Sequence, residues 1–204
     1  MDISSIELYD LGIIWSIGSQ DEESRFSFRF RHPYFLERMQ AYFPNAIYSQ
    51  KREESKPDVQ YVLKTSDISI EQLYSIGWTL QNSVARDLPK LNGYSEFLRS
   101  YIEIHSSLDY STRHRKDKSK YKALRLRVYG NVKLLETLNS ILSAEVGTTL
   151  KAIQVLKNRI TGILYYHSPE EISRIYDYLR GTPSFKSYWN DVEQKLEQPI
   201  KEYE

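Results

Sequence analysis

The chain has 204 residues, enough for one compact domain of two halves or for two small domains. Apolar residues make up 40% and charged residues 27%, as in soluble globular proteins, and no apolar run reaches the roughly eighteen residues that would span a membrane. The first residues, MDISSIELYD, lack the features of a signal peptide, and the absence of cysteine excludes disulfides and zinc–thiolate sites, so a cytoplasmic location is expected.

The net charge is only +1, but the basic residues are concentrated in one segment. Between Thr112 and Arg127, eight basic residues stand against the single acid Asp117, so this segment carries +7 and the rest of the chain −6. Charge segregated in this way is expected where one surface binds a polyanion.

The first half of the chain alternates between helical and strand patterns. The clearest strand is SRFSFRFR, in which phenylalanines alternate with basic or polar residues, so that one side is buried and the other is basic. The predicted elements are a helix at Ile6–Gly18, a strand at Ser24–Arg31, a helix at Pro33–Phe43, strands at Ala46–Arg52 and Val59–Thr65 around the turn EESKPD, and a helix at Ser69–Trp78.

The second half repeats this order. Capping-box patterns begin the helices at Ser69 and Ser168, and a glycine, Gly147, follows the longest helix. The predicted elements are a helix at Tyr94–Ser106, strands at Tyr110–Arg115 and Lys122–Tyr129, a helix at Asn131–Ala144, strands at Leu150–Lys157 and Ile160–His167, a helix at Ser168–Leu179, and a final helix at Trp189–Leu196.

Residue patterns recur between the halves at offsets of 88 to 99 residues, as between LGII (11–14) and RSYI (99–102). The drift in offset indicates loops of different length within one element order. We therefore expect two repeats, 1–88 and 89–181, followed by a helical and acidic tail, 182–204. Two copies of this length are too few for a solenoid.

Three stretches carry a resemblance: LYDLGIIWSIGS (8–19), FLRSYIEIHSSLD (97–109) and ILYYHSPEEISRIYDYLRG (163–181). Together with the repeated element order, they resemble the single-chain LAGLIDADG homing endonucleases over about residues 6–180. The resemblance implies an α+β fold of two pseudo-symmetric αββαββα repeats, whose two antiparallel sheets form a saddle on DNA, plus the C-terminal helical tail. It also implies close packing of the two motif helices through small residues, here Gly12, Ser16 and Ser100.

In the family, a carboxylate at the end of each motif helix binds divalent metal. The matching positions here are Ile17 and His105, neither of which suits magnesium, a cation that prefers oxygen ligands. Glu103 lies about 200° around the helix from His105 and should point elsewhere. Asp21, Glu22 and Glu23 could approach the former site but resemble a solvated turn. We therefore expect no catalytic residue, metal or cofactor.

The predicted DNA-binding residues lie on the basic strands and their turns. Arginine can read guanine edges through two hydrogen bonds, whereas lysine mainly neutralises phosphate. The predicted set is Arg25, Arg29, Arg31, Lys51, Arg52, Arg113, Arg115, Lys120, Lys122, Arg125, Arg127, Lys151, Lys157 and Arg159. The alternative is that these side chains form an ordinary solvent-exposed surface without a binding role.

The sequence thus predicts a catalytically inactive regulator that occupies an asymmetric duplex site of about 20 base pairs as a monomer. Two alternatives stay open. One is a divergent homing endonuclease or maturase with relocated metal ligands, and the other is an accessory protein of a phage or mobile element that binds a host protein.

Overall fold

The computed structural model describes residues 3–21, 25–52 and 59–202. The chain divides into two compact units, Met1–Tyr101 and Ile102–Glu204, and the boundary falls inside a helix. The predicted EESKPD turn, together with Glu22 and Glu23, lies outside the described residues. Within them, no helix is both long and apolar enough to cross a membrane. This boundary between compact units does not test where the two sequence repeats meet, so the predicted repeat boundary after residue 88 stays a prediction.

The first unit contains an antiparallel sheet, the N-terminal sheet, with strand order β1-β2-β4-β3. After a 3-10 turn at Ile3–Ser5, its elements are α1 (Leu8–Ile17), β1 (Gly18–Gln20), β2 (Phe26–Phe30), α2 (Pro33–Tyr42), β3 (Ile47–Arg52), β4 (Val59–Thr65), α3 (Ile70–Ser75) and the first part of α4 (Ser95–His105).

Aromatic side chains form the core between this sheet and its helices. Phe26 and Phe28, alternate residues of β2, are fully buried; Phe26 contacts Trp78, and Phe28 stacks on Phe43 after α2. The alternation predicted for SRFSFRFR is confirmed for Phe26, Phe28 and Arg29, whereas Ser27, on the predicted polar side, is buried as well. The predicted cap of α3 is also confirmed, since Ser69 Oγ accepts a hydrogen bond from the Gln72 amide at 3.3 Å.

Helices α1 and α4 approach closely inside the first unit. A Cβ atom on Gly12 would overlap Ser100 Oγ and lie 2.5 Å from the Phe97 carbonyl oxygen. Ser100 Oγ also donates a hydrogen bond across to the Tyr9 carbonyl at 2.6 Å. The predicted role of Gly12 and Ser100 in helix packing is confirmed, because only a residue without a Cβ fits at position 12 and the Ser100 hydroxyl bonds across to α1.

The second unit contains the C-terminal sheet, with strand order β5-β6-β8-β7 and a further strand, β9, paired with β6. Its elements after α4 are β5 (Ser106–His114), β6 (Lys120–Asn131), α5 (Val132–Val146), β7 (Gln154–Val155), β8 (Thr161–Tyr166), α6 (Pro169–Leu179), α7 (Lys186–Glu197) and β9 (Ile200–Glu202). The predicted α+β class and element order are confirmed.

The C-terminal segment is built into this unit through a buried carboxylate. Glu103, in α4, accepts hydrogen bonds from Trp189 Nε1 at 2.6 Å and from the Phe185 amide at 3.2 Å. Burial of a carboxylate is tolerated when such donors are present. Glu103 therefore anchors α7, in agreement with the prediction that it points away from His105.

Several details of the predicted secondary structure are wrong. The strand predicted at Leu150–Lys157 is reduced to β7, because the Asn139 side chain holds both backbone groups of Lys151 at 3.2 and 2.9 Å and so replaces sheet pairing there. Strand β5 begins four residues before the predicted Tyr110. The short strands β1 and β9 were not predicted.

Candidate nucleic-acid interface

The C-terminal sheet has one side packed on helices and one side that carries arginines. On β6, Leu124, Leu126 and Val128 are fully buried, whereas the alternate residues Arg125 and Arg127 remain partly exposed. The register sets Asp109 opposite Arg125, and Tyr165 opposite Arg127. We call this surface the C-terminal arginine side; it consists of Asp109, Arg113, Arg125, Arg127, Tyr129 and Tyr165.

Asp109 joins the two β6 arginines. Its carboxylate accepts from Arg125 Nε at 2.9 Å, from Arg125 Nη2 at 3.0 Å and from Arg127 Nη2 at 2.5 Å. The hydrogen bond to Asp109 raises the pKa of Arg125. The basic side of β6 therefore also carries an acid, which comes from the neighbouring strand and is brought there only by the register.

Further residues of this surface extend it beyond the paired arginines. Arg113 is half-buried and has no hydrogen-bond or ion-pair partner within the described part of the chain. His167, at the end of β8, stacks on Tyr165. Partial burial, followed by the charges of Arg113 and Arg125, lowers the pKa of His167 below its usual value. The sequence offered no spacing signal for Tyr165 and His167 as site residues.

The N-terminal sheet has a comparable surface, the N-terminal arginine side, formed by Asp21, Arg25, Arg29, Lys51 and Lys64. Asp21 accepts from Arg25 Nε and Nη2 at 3.2 and 3.1 Å and from Lys64 Nζ at 2.9 Å. The hydrogen bond from Lys64 is the main cause that lowers the pKa of Asp21 to about 2. Asp21 is thus an ion-paired carboxylate, unlike the solvated turn residue predicted from the sequence.

Two predicted residues of this surface are free to meet a ligand. Arg29 and Lys51 are exposed, and neither has a hydrogen-bond or ion-pair partner among residues 3–21, 25–52 and 59–202. Lys64, which had not been singled out in the sequence, lies opposite Ser27 on this same side.

Other predicted residues lie away from the two arginine sides. Arg31 follows the end of β2, so it is not the strand residue that was predicted. Arg52 is adjacent to Lys51 on β3 and points to the opposite side of the strand. Lys120 and Lys122 are exposed. Because side chains alternate along β6, they lie on the other side of the sheet from Arg125 and Arg127.

The remaining predicted residues occupy turns and loops. Arg115 lies 4.9 Å above the Tyr121 ring beside the hairpin turn between β5 and β6. Lys151, in the segment after α5, forms a 2.7 Å ion pair with Glu171 of α6. Lys157 and Arg159 are exposed near the turn between β7 and β8, where Arg159 has a positive φ of 57°. Binding of DNA by any of these residues stays a prediction.

Comparisons with known proteins give the fold. No protein-family model and no curated protein matches the chain, but solved structures do. The I-LtrWI LAGLIDADG homing endonuclease, solved bound to target DNA, is 12% identical over 93% of this chain and 89% of its own, with a TM-score of 0.62. Its counterpart I-GzeII, in complex with its DNA target, is 15% identical over 95% and 91%, with a TM-score of 0.56. The chain has the LAGLIDADG homing endonuclease fold.

A second kind of protein shares this LAGLIDADG fold. Full-length DUF199/WhiA from Thermatoga maritima is 16% identical over 95% of this chain and 64% of its own, with a TM-score of 0.54. The likeness therefore extends beyond the homing endonucleases.

The ends of the two LAGLIDADG motif helices do not fit a hard divalent cation. Ile17, the last residue of α1, offers only hydrocarbon, and His105, the last residue of α4, offers nitrogen. No group of three or more His, Cys, Asp or Glu side chains that could hold a metal occurs within residues 3–21, 25–52 and 59–202. Glu22 and Glu23, considered above as replacement ligands, lie outside these ranges.

Side-chain donors satisfy the backbone carbonyl groups at the C-terminal end of α1. Arg86 donates to the carbonyl oxygens of Trp15 and Thr79, and Gln81 Nε2 donates to the Ser16 carbonyl at 3.0 Å. Burial lowers the pKa of Arg86 to about 10, yet it stays cationic at neutral pH, where it opposes the partial negative charge of a helix end. A cation at this end of α1 makes the position still less suited to a metal ion.

Proposed function

We propose that this chain binds double-stranded DNA through the arginine sides of its two sheets and regulates transcription or a mobile element by occupying its site without cutting it. The observation that carries this proposal is the alternation on β2 and β6, where Arg29, Arg125 and Arg127 lie on one side of their sheets and the large buried apolar residues of these strands lie on the other.

The physical support comes from the shape and charge of duplex DNA. A β-ribbon or sheet can enter the major groove, which is about 12 Å wide, and arginine can hydrogen-bond two acceptors of guanine there. Arg29 and Arg113, which have no partner in the described part of the chain, are suited to such contacts. The exposed lysines on strands and turns would neutralise phosphates.

The solved structures with this fold give separate support. I-LtrWI and I-GzeII were both solved in complex with DNA, and each match covers more than nine tenths of this chain. We extend DNA binding to this chain on that likeness, with each sheet reading its own part of an asymmetric site of about 20 base pairs. Binding as a monomer is part of the proposal.

The test is selection from a random duplex library, followed by affinity measurement at several salt concentrations. Wild-type protein should select one site, and the logarithm of its affinity should fall linearly with the logarithm of salt, because phosphate contacts release counterions. Arg29→Ala and Arg127→Ala should each lose about 1–3 kcal/mol of binding free energy at that site.

A matched control is Arg174→Ala, which removes an exposed arginine from α6. It should lose much less affinity than the two strand variants. Equal affinities for wild type, Arg29→Ala and Arg127→Ala would refute the assignment of the arginine sides to DNA.

Cleavage is the second candidate function, and the likeness to solved homing endonucleases favours it. We infer absence of cutting from Ile17 and His105, since neither can replace a metal-binding carboxylate. A plasmid carrying the selected site should remain intact with Mg²⁺ or Mn²⁺. Nicking that disappears in Asp21→Ala or Glu22→Ala would instead establish a nuclease with relocated ligands.

A further inference from the structure

Each sheet carries a carboxylate at the same place relative to its motif helix. Asp21 lies four residues beyond Ile17, where α1 ends, and Asp109 lies four residues beyond His105, where α4 ends. The two acids are 88 residues apart, which is also the spacing of the two motif helices in the sequence. In both sheets the acid faces an arginine on the adjoining strand or its extension.

Both carboxylates bind their arginine through the same two guanidinium nitrogens, Nε and Nη2. Asp109 takes the Nε and Nη2 donors of Arg125 at 2.9 and 3.0 Å, and Asp21 takes the Nε and Nη2 donors of Arg25 at 3.2 and 3.1 Å. A second cation joins each acid, Arg127 in one sheet and Lys64 in the other. Each arginine side therefore carries one carboxylate that binds an arginine through Nε and Nη2 and also binds a second cation, from the same strand in the C-terminal sheet and from the next strand in the N-terminal sheet.

This ion pair leaves the Nη1 donors and one Nη2 donor of the guanidinium available to another acceptor. A guanidinium has five N–H donors in a fixed plane, and the carboxylate uses those on the Nε–Nη2 edge. Arg125 Nη1 has no acceptor within the described ranges, and 26% of the side-chain surface of Arg125 is exposed. The Nη1–Nη2 end can offer two parallel donors, the pattern that matches O6 and N7 of guanine.

The ion pair between Asp109 and Arg125 has two effects on binding to a polyanion. A free arginine side chain loses rotamer entropy when it is fixed on a base, and Asp109 has already restricted Arg125. The carboxylate also removes one positive charge from a surface that would otherwise attract any phosphate. The first effect favours a base contact of defined geometry, and the second weakens contacts that carry no sequence information.

We propose that Asp109 and Asp21 are positioning residues that set the sequence selectivity of this protein, by orienting Arg125, Arg127 and Arg25 toward bases and by reducing attraction to unrelated duplexes. This inference rests on the proposed DNA binding. Partly exposed ion pairs contribute little to folding, so removal of the Asp109 charge should leave the fold intact.

The decisive variant is Asp109→Asn, which keeps the size of the side chain and removes its charge. The affinities of wild type and variant are measured for the selected duplex and for an unrelated duplex of equal length at the same salt. Asp109→Asn should bind the unrelated duplex several-fold more tightly, and its selectivity ratio should fall about tenfold. The salt slope for the unrelated duplex should steepen by up to roughly one phosphate contact.

The control is Glu136→Gln, the same change of a carboxylate to an amide at an exposed position of α5. It should leave the selectivity ratio unchanged. In a protein that lacks both Arg125 and Arg127, Asp109→Asn should cause no further loss of selectivity, because the carboxylate acts through these two side chains.

The outcomes separate this inference from the proposed function. If wild type selects a site but Asp109→Asn behaves like Glu136→Gln, the positioning role is wrong and DNA binding stands. If Asp109→Asn lowers selectivity equally without Arg125 and Arg127, the role is also wrong. If wild type shows no salt-sensitive duplex binding, the proposed function fails, and this inference fails with it.

Discussion

The two units share an element order but are completed by different means. In the first unit, α1 packs against the start of α4 through Gly12, and the N-terminal sheet includes the three-residue strand β1. In the second unit, β5 and β6 are the longest strands of the sheet, with β5 at its edge and β6 in its interior, and α7 and β9 are added from the C-terminal segment.

This difference indicates where each arginine side obtains its rigidity. Selective reading of bases requires side chains on a backbone that does not shift. The C-terminal arginine side lies on long paired strands supported by the anchor between Glu103 and Trp189. The N-terminal arginine side depends instead on helix packing and on Asp21, which ties Arg25 to Lys64 across two strands.

The largest expected effect is loss of the anchor in the second unit. Trp189→Ala should destabilise that unit by about 3–5 kcal/mol, because a nearly buried indole is removed and its hydrogen bond to Glu103 is lost. Hydrogen exchange should show faster exchange at β6 amides and little change at β2 amides.

The control for this variant is Val84→Ala, at a position that is 72% exposed, and it should leave both sheets protected. Equal loss of protection at β2 and β6 in Trp189→Ala would contradict the view that α7 stabilises the second unit in particular.

A smaller effect is expected from Gly12→Ala in the first unit. The added methyl group would overlap Ser100 Oγ, and overpacking of this kind costs about 1–3 kcal/mol. Exchange should now accelerate at β2. Gly93→Ala is the matched control, since a Cβ there would meet nothing within 4 Å. If the two glycine variants were equally stable, close approach of α1 and α4 would not support this unit.

The smallest effect is a pH dependence confined to the first unit. Asp21 has a pKa of about 2 in the folded chain, against an ordinary value of 3.8, chiefly because of the hydrogen bond from Lys64. A lowered pKa stabilises the folded state above pH 3.8, and this contribution is lost as pH falls toward 2. The urea midpoint of wild type should therefore fall more steeply across this window than that of Asp21→Asn. Parallel curves for the two proteins would show that Asp21 does not contribute.

Local signals in the sequence predicted most of the helices and their ends. Ser69 and Ser168 accept the hydrogen bonds expected of capping residues, and Gly147 ends α5 with a positive φ of 72°. These features depend on residues three or four positions apart, so they can be recognised without knowledge of the fold.

Long-range pairing determined what could not be predicted. Strand β9 exists because it pairs with β6, and its three residues carry no pattern of their own. In the same way, Asp109 was overlooked as a partner of Arg125 because only the register of β5 and β6 brings the two residues together. The basic side of β6 was predictable from alternation, whereas its countercharge was not.

Strand β9 has a consequence for how the protein can be handled. The ladder between β6 and β8 starts at Leu126, and Ile200–Glu202 continues the pairing along Tyr121–Ala123. Unpaired backbone groups at a sheet edge can recruit a strand from another chain. A truncation that removes Ile200–Glu202 would expose the backbone groups of Tyr121–Ala123 beside the arginines. Self-association through β6 would then compete with binding of any ligand to the C-terminal arginine side.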